Sequence, residues 1–283
     1  MRSEEHVERS GALGSERPGG LGRIAAAAAE FASDALAIAE MEVRKLARDP
    51  TEVFTRSVQP TLWLLVFGQV FTRVRAIPTG EMRYLDFMTP GVLAQSVLFT
   101  AIFFGIAIIW ERDLGILQKM LVTPAYRGAL VLGKAASAGA RGLVQAVIIY
   151  GLAVLLGIRL RFGLFSTSGV LIAVLLGSAV FSTFSLVVAC IVKTRERFMG
   201  IGQVLTMPLF FASNAIYPIE MMPGWLKVVA RVNPLTYLVD ALRSLMVEGG
   251  RSAFGYGVDL AVQIGALLLL VTVAAKLYPH VAA

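Results

Sequence analysis

Long apolar runs without a single charged residue constrain this sequence more than any other feature. No Asp, Glu, Lys or Arg occurs over residues 87–110 or 162–192. A helix needs about 20 apolar residues to cross the hydrocarbon core of a bilayer, and either run is long enough. The whole chain is 57% hydrophobic and only 16% charged, whereas soluble domains carry about 25% charged residues. The sequence therefore excludes a water-soluble enzyme and predicts an all-α polytopic membrane protein.

The charged residues between the apolar runs divide the chain into six predicted transmembrane helices. These spans cover residues 58–72, 87–110, 135–158, a part of 162–192, about 198–217 and about 258–275. Lys and Arg are more frequent in the segments that share a side with the N-terminus, and such segments are usually cytoplasmic. We therefore expect a multi-pass membrane protein with both termini in the cytoplasm.

The net charge of +7 does not indicate nucleic-acid binding. The basic residues lie between apolar runs instead of forming a stripe, so anionic membrane lipids are the partner that their placement favours.

Three regions follow one another along the chain. Residues 1–23 are rich in Gly, Ser, Arg and Glu and are predicted to be a disordered cytoplasmic tail. Residues 24–50 predict an amphipathic helix along the cytoplasmic interface, or alternatively a helix packed on another protein. Its apolar side consists of Phe31, Ala35, Ala39, Val43 and Leu46. Residues 51–283 form the predicted six-span transmembrane domain.

The cytoplasmic loop over 110–127 contains a second short amphipathic helix. Leu114, Leu117 and Leu121 recur at helical spacing beside charged residues, and Pro124 ends the helix. Such a helix is suited to docking in a groove of a partner protein. A purely structural interfacial helix is the alternative.

Residues 218–250, between spans five and six, predict two short helices at or dipping into the outer interface. The first carries an apolar stripe that begins at Trp225, and Asn233 followed by Pro234 is a typical start for the second. We expect Trp225 and Tyr237 to anchor these helices at the interface.

Residues suited to catalysis or metal binding are scarce. Asp86 and Asp259 occupy predicted outer ends of spans, where we expect a solvated or snorkelling charge, and Arg141 is the single charged residue within a span. The segment from Gly128 to Lys134 resembles a phosphate-binding loop but continues with Ala135, where such a loop needs Ser or Thr. We therefore predict no catalytic residue, no metal site and no nucleotide site in this chain.

Several short motifs, in this order around six spans, resemble the permease subunits of ABC-2-type exporters, which include daunorubicin-resistance and Nod-factor export permeases. The similarity covers about residues 30–277. The motifs are Arg48-Asp49-Pro50, Pro90-Gly91, Glu111-Arg112-Asp113 with Gly115 leading to Thr123-Pro124, Met222 to Leu226, Asn233 to Tyr237, and Asp240 to Arg243.

The resemblance implies a permease of the bacterial cytoplasmic (inner) membrane that dimerises, with itself or with a related permease, and binds two copies of a cytoplasmic ABC ATPase. It implies that the partner ATPase, and not this chain, holds ATP and Mg. The 24–50 helix then corresponds to a connecting helix, and the loop over 110–127 to the coupling helix that receives the ATPase movement. The implied coupling residues are Glu111, Arg112, Asp113, Gly115, Leu117, Met120, Thr123 and Pro124. Asp113 stands where the family more often has Glu.

The resemblance also implies alternating access, in which this chain exports an amphipathic substrate such as a drug, lipid or glycolipid. The uncharged faces of spans two and five provide the candidate pathway residues, although the same side chains could simply pack against lipid or neighbouring helices. These residues are Phe103, Phe104, Met207, Phe210, Phe211 and Asn214. Trp225, Asn233, Pro234 and Tyr237 belong to the implied outer gate helices. The alternative function is an ion-gradient-driven secondary carrier that uses Arg141.

Overall fold

The described part of the chain is a bundle of helices. A computed structural model describes residues 55, 58–74, 77–80, 82–114, 127–192 and 194–277, apart from the side chains of 103, 104, 107, 108, 111 and 127–137. Within these residues the only β-type pairing is an isolated bridge between Leu160 and Val247. The predicted helix over 24–50 and most of the predicted coupling helix lie outside the described residues.

Eight helices are numbered here in chain order. Helix α1 covers 58–74, where Trp63–Gly68 is π-helical and Gln69–Val74 is α-helical. The others are α2 (Tyr84–Asp113), α3 (Arg127–Leu155), α4 (Leu164–Ile191), α5 (Arg195–Phe211), α6 (Gly224–Val232), α7 (Pro234–Met246) and α8 (Tyr256–Leu277).

Four of the described helices are long and apolar enough to cross a membrane. The apolar segments are Tyr84–Ile102, Ala138–Leu155, Leu164–Ile191 and Tyr256–Leu277. They confirm that the second, third, fourth and sixth predicted spans are apolar helices of sufficient length.

The first and fifth predicted spans are helical, but they are not among the described helices that are long and apolar enough to cross a membrane. Helix α5 has 17 residues, begins with Arg195, Glu196 and Arg197, and ends at Phe211, so the fifth span predicted to continue to Tyr217 is too long. The chain turns after Phe211, and the side chain of Asn233 binds two carbonyl groups at this end of α5. Its Nδ2 donates to the carbonyl oxygens of Leu209 at 2.7 Å and Ala212 at 3.1 Å.

Helix α4 lies at the centre of the bundle and packs against α2, α3, α7 and α8. Small residues allow close approach: a methyl group on Gly177 of α4 would lie 2.6 Å from a methyl carbon of Leu238 on α7. Val174 and Phe181 of α4 are buried in the same core.

The two short helices predicted between spans five and six are present, but they differ in burial. The apolar stripe of α6 points away from the described bundle, with Trp225 69%, Val228 62% and Val232 76% exposed. Helix α7 is almost entirely buried against α2, α4 and α8. It is therefore a core element at one end of the bundle.

Candidate functional site: polar networks at the two ends of the bundle

Arg243 of α7 is a buried cation that holds three segments together. Its side chain is only 7% exposed. Nη2 donates to the carbonyl oxygen of Asn214 at 2.6 Å, and the guanidinium lies 3.9 Å over the ring of Phe87 and near the Phe87 carbonyl oxygen. Burial lowers the pKa of Arg243 to about 10, an effect that the charge of Asp240 opposes. Arg243 is therefore still a cation at neutral pH.

Asp240, one turn before Arg243, accepts hydrogen bonds from two further segments. Its Oδ1 accepts from Nδ2 of Asn214 at 3.2 Å and lies 4.0 Å from Nη1 of Arg243. Its Oδ2 accepts from the backbone amides of Ala253 at 2.7 Å and Phe254 at 3.1 Å. Asp240 thus joins α7 to the link after α5 and to the turn before α8.

The expectation of a solvated or snorkelling charge at Asp86 and Asp259 is wrong, since they are only 4% and 0% exposed. Asp86 accepts two hydrogen bonds from Arg83, at 2.8 and 3.0 Å, and this pairing raises the pKa of Arg83. Asp259 lies in the first turn of α8, and this helix packs against α4 and α7. Its Oδ2 lies 2.9 Å from Oγ of Ser252.

A pocket of about 760 Å³ opens beside this network, and Arg243, Asp240 and Asn214 are among its lining residues. Four exposed charged side chains also line it: Arg159, Glu220, Glu248 and Arg251. A cavity of this size is typical of small-molecule sites, but its charged lining is more polar than most. It is a charged recess at the α7 end of the bundle.

Asn233 fastens the end of α5 to the start of α7. While its Nδ2 binds the two α5 carbonyl groups, its Oδ1 accepts from the backbone amide of Leu235 at 2.9 Å. The predicted role of Asn233 as the cap of a helix that begins at Pro234 is confirmed. One amide therefore satisfies backbone groups of two helix ends.

A second polar network lies at the opposite end of the bundle, where α2 ends and α5 begins. Arg195 and Asp113 form an ion pair at 2.9 Å, and the Arg195 guanidinium lies 4.0 Å from the ring centre of Trp110. Nη1 of Arg112 donates to the carbonyl oxygen of Val192 at 3.2 Å. The last turn of α2 is thereby attached to the end of α4 and the start of α5.

The structure describes only the beginning of the implied coupling segment. Arg112 and Asp113 belong to this second network, and the backbone of Glu111 lies in α2, although its side chain is not described. The remaining implied coupling residues lie outside the described residues: Gly115, Leu117, Met120, Thr123 and Pro124. Gly128 to Lys134 lie in helix α3 and do not form a loop.

The candidate pathway residues are not gathered on one surface. Met207 and Phe211 are each 44% exposed on α5, whereas Phe210 and Asn214 are buried. Phe210 packs edge-on against Trp63, with ring centres 5.6 Å apart. The backbone of Phe103 and Phe104 lies in α2, and their side chains are outside the described set.

Among the outer gate residues, Trp225 is exposed but Tyr237 is buried. The Tyr237 hydroxyl donates to the carbonyl oxygen of Arg231 at 2.6 Å, and its ring lies 5.0 Å from that of Phe254. Pro234 is the first residue of α7. Tyr237 is thus packed inside the protein and does not lie at an exposed interface.

Sequence reasoning missed Arg195 as a partner of Asp113 and gave no structural role to Asp240 and Arg243. Asp240 and Arg243 stand three residues apart among apolar residues on one helix, a spacing that brings two side chains together. This spacing was the sequence feature that could have predicted their pairing. Nothing local links Arg195 to Asp113, which is 82 residues earlier in the chain.

Within the described part of the chain, these features define an all-helical, membrane-embedded protein with polar networks at both ends of an apolar bundle. Comparison with known proteins gives the family: residues 34–247 match the ABC-2 type transporter family, and the chain belongs to it.

Three relatives illustrate the range of this family. The chain is 30% identical to the ycf38 protein of Cyanophora paradoxa over 71% of this chain and 70% of that protein. It is 25% identical to the daunorubicin resistance ABC transporter permease protein DrrB1 of Streptomyces coeruleorubidus, over 81% of this chain and 80% of the relative. It is 26% identical to nodulation protein J of Rhizobium leguminosarum bv. trifolii, over 69% and 71% respectively.

Proposed function

We propose that this chain is the transmembrane permease subunit of an ATP-driven exporter that moves an amphipathic substrate, such as a drug, lipid or glycolipid, out of the cytoplasm or the inner leaflet. Membership of the ABC-2 family supports the permease role. The name of the DrrB1 relative, which records daunorubicin resistance, supports an apolar or amphipathic cargo. ATP and Mg would be bound by a separate ATPase.

The single observation that best supports coupling to an ATPase is the ion pair between Asp113 and Arg195. Asp113 is the last residue of α2 and lies near the start of the implied coupling segment. Because Asp113 contacts α5 and the neighbouring Arg112 contacts the end of α4, a push on this segment would move three helix ends together. Movement of an ATPase could thereby reach the apolar bundle.

In the proposed membrane arrangement, α1 and α5 serve as the first and fifth of six spans. Both termini and the Asp113–Arg195 ion pair then lie on the cytoplasmic side of the bacterial inner membrane, and the pocket beside Arg243 lies outside. The exposed apolar stripe of α6 fits this arrangement, since such a face inserts into the boundary between headgroups and acyl chains. The 24–50 helix would lie along the inner surface.

The functional unit would contain two permease copies and two ATPase copies. Helix α5 exposes apolar side chains along one side, including Val204, Met207 and Phe211. Met207 and Phe211 point away from their own bundle, so any pathway that they line would be completed by a second permease copy. This second copy is either identical or a related permease.

Alternating access would require the outer ends of these helices to separate and close again. Opening between α5 and α7 has to break the bonds from Asn233 to Leu209 and Ala212, and opening between α2 and α7 has to break the contacts of Arg243 with Phe87. These polar contacts are reversible. They would therefore hold the outer end closed until the inner end is pushed.

The proposed function is tested by purifying the chain with the ATPase that accompanies it and measuring ATP turnover and substrate export. We expect the ATPase to co-purify and substrate to stimulate ATP turnover. Stimulation should be lost on Glu111→Ala or on deletion of residues 111–121, and be retained in the exposed-surface control Gln203→Ala on α5. A chain that exports substrate with no ATPase present would refute the proposal.

A further inference from the structure

Ser252 lies between two buried carboxyl groups, and the hydrogen atoms available to it limit how those groups can be charged. Its Oγ is 2.8 Å from Oδ2 of Asp240 and 2.9 Å from Oδ2 of Asp259. It also accepts a hydrogen bond from the backbone amide of Gly255 at 2.6 Å. Three polar neighbours therefore surround one hydroxyl oxygen.

A serine hydroxyl can donate one hydrogen bond and accept two. The amide of Gly255 takes one acceptor position, and the single hydroxyl hydrogen can point at only one of the two carboxyl groups. The other carboxyl oxygen then faces a lone pair of Oγ. At 2.8–2.9 Å this contact is favourable only if that carboxyl group carries a hydrogen of its own.

The surroundings of Asp240 and Asp259 identify which of the two carboxyl groups carries this hydrogen. Asp240 accepts bonds from Asn214, Ala253 and Phe254 and lies next to the Arg243 cation, and all of these favour the ionised form. Asp259 has no contact of this kind among the described residues. Its Oδ1 has no hydrogen-bond partner there, and the residue is 0% exposed.

We propose that Asp240, Ser252 and Asp259 form a proton-binding site in which Asp259 carries one proton and donates it to Ser252, which in turn donates to Asp240. The bound proton allows the two carboxyl groups to lie side by side. Two ionised carboxylates sharing one site would repel each other, so the bound proton removes a repulsion between α7 and α8.

The other ionisable side chains that we find near Asp259 cannot supply the positive charge that this proton supplies. Tyr237 of α7 and Tyr256 of α8 interact with Asp259, and neither side chain can carry positive charge. Helix α4 brings no ionisable side chain to this end, since its only candidate is Cys190 near the other end. Tyr150 of α3 packs against Phe162 instead.

The proton can exchange with water through the pocket beside Arg243. Asp240 and Ser252 line that pocket, whereas Asp259 is not among the lining residues. In the exchange the Asp259 O–H bond breaks as its hydrogen passes to Oγ of Ser252. The original Ser252 hydrogen passes to Oδ2 of Asp240, and from there to water. The serine is a neutral hydroxyl before and after the step, so one proton moves in total.

The test compares heat-induced unfolding of the detergent-solubilised full chain from about pH 5 to about pH 8, where an aspartate in an unfolded chain is ionised. Folding of the wild type should take up one proton. The folding equilibrium constant should therefore fall about tenfold for each unit by which the pH rises, until Asp259 ionises in the folded protein. In Asp259→Asn the side-chain amide can donate to Ser252 without a proton. We expect this variant to match the wild type at acidic pH and to lose the additional pH dependence.

Asp240→Asn and the matched buried-carboxylate control Asp86→Asn should lower the unfolding midpoint at every pH, because each substitution replaces a carboxyl oxygen that accepts hydrogen bonds from Arg83 or from backbone amides. The proposal is overturned if Asp259→Asn keeps the pH dependence of the wild type, or if it is destabilised at acidic pH as strongly as Asp240→Asn.

Infrared spectroscopy gives a second measurement on the unmodified chain. The C=O band of a protonated carboxyl group should be present at neutral pH and vanish in alkali, and its absence at neutral pH would also overturn the proposal.

Discussion

The Arg195 guanidinium donates two hydrogen bonds to Oδ2 of Asp113, from Nη2 at 2.9 Å and from Nε at 3.2 Å. The two residues belong to different helices and meet at the end of the bundle opposite the Arg243 pocket. Their side chains are 35% and 39% exposed, so water screens the pair. Its contribution to stability is therefore small, about 0–1 kcal/mol, and its importance is the mechanical link between α2 and α5.

Breaking this pair should uncouple ATP turnover from export while leaving the fold intact. We expect Asp113→Asn and Arg195→Gln to change the unfolding midpoint little and to lower substrate-stimulated ATP turnover of the complex severalfold. The charge-reversed double variant, Asp113→Arg with Arg195→Asp, should recover part of the loss. Arg197→Gln, an exposed neighbour on the same helix, is the control and should behave like the wild type. If both single variants are impaired and the double variant recovers no ATP turnover, a mechanical link through this ion pair is contradicted.

The Asn233 side chain should contribute strongly to stability because it serves two helix ends. Asn233→Ala removes the cap of α7 and leaves the carbonyl groups of Leu209 and Ala212 without their donor. Each buried polar group left unpaired costs about 1–3 kcal/mol, and loss of a cap costs about 1 kcal/mol. The unfolding midpoint in detergent should therefore fall clearly.

Asn233→Asp distinguishes the two parts of this role. The carboxylate keeps an acceptor for the Leu235 amide, but its second oxygen takes the place of Nδ2, 2.7 Å from the Leu209 carbonyl oxygen, and repels it. We therefore expect Asn233→Asp to be as destabilised as Asn233→Ala or more. Gln203→Ala, on the exposed side of α5, is the control for loss of an amide. An Asp variant as stable as the wild type would show that the bonds to α5 contribute nothing.

Gly91 is required where α2 crosses the turn after α5. A methyl group added there would lie 2.8 Å from Cα of Ala215 and would also meet the Ala215 carbonyl oxygen. Because this neighbour is backbone, the helix must shift, and overpacking of this kind costs about 1–3 kcal/mol. We expect Gly91→Ala to lower the unfolding midpoint and to impair export.

Gly151 provides the matched comparison for that substitution. It lies in α3, and a methyl group added there has no neighbour within 4 Å. Alanine is favoured over glycine in a helix by about 0.5–1 kcal/mol, so Gly151→Ala should leave the midpoint unchanged or raise it. Equal destabilisation by the two substitutions would show that close packing at Ala215 is not the cause.

The apolar helices could be predicted because membrane spans depend on a local property, an uninterrupted run of apolar residues. Helices α2, α4 and α8 follow directly from such runs. The burial of α7 could not be predicted, since an amphipathic pattern is the same whether its apolar side meets lipid or protein. For the same reason a solvated or snorkelling charge was expected at Asp259: its position at the end of an apolar run does not show that it is buried.

The two polar networks were predictable only in part. The resemblance placed Arg112 and Asp113 in a coupling segment, and the order Asn233-Pro234 predicted a helix start. The partners that give these residues their roles lie far away in the sequence, as Arg195 does for Asp113 and Phe87 does for Arg243. Pairings of this kind depend on how helices pack, which a single sequence does not show.

Transport in reconstituted vesicles is the decisive test of whether a separate ATPase drives export through this chain. The full chain is incorporated into liposomes alone or with its ATPase, and uptake of a fluorescent amphipathic drug into the lumen is measured. We predict uptake only when the ATPase and ATP-Mg are present on the side of the Asp113–Arg195 ion pair, with no uptake driven by a proton or sodium gradient. Gradient-driven uptake by the chain alone, undiminished when the ATPase is omitted, would contradict it.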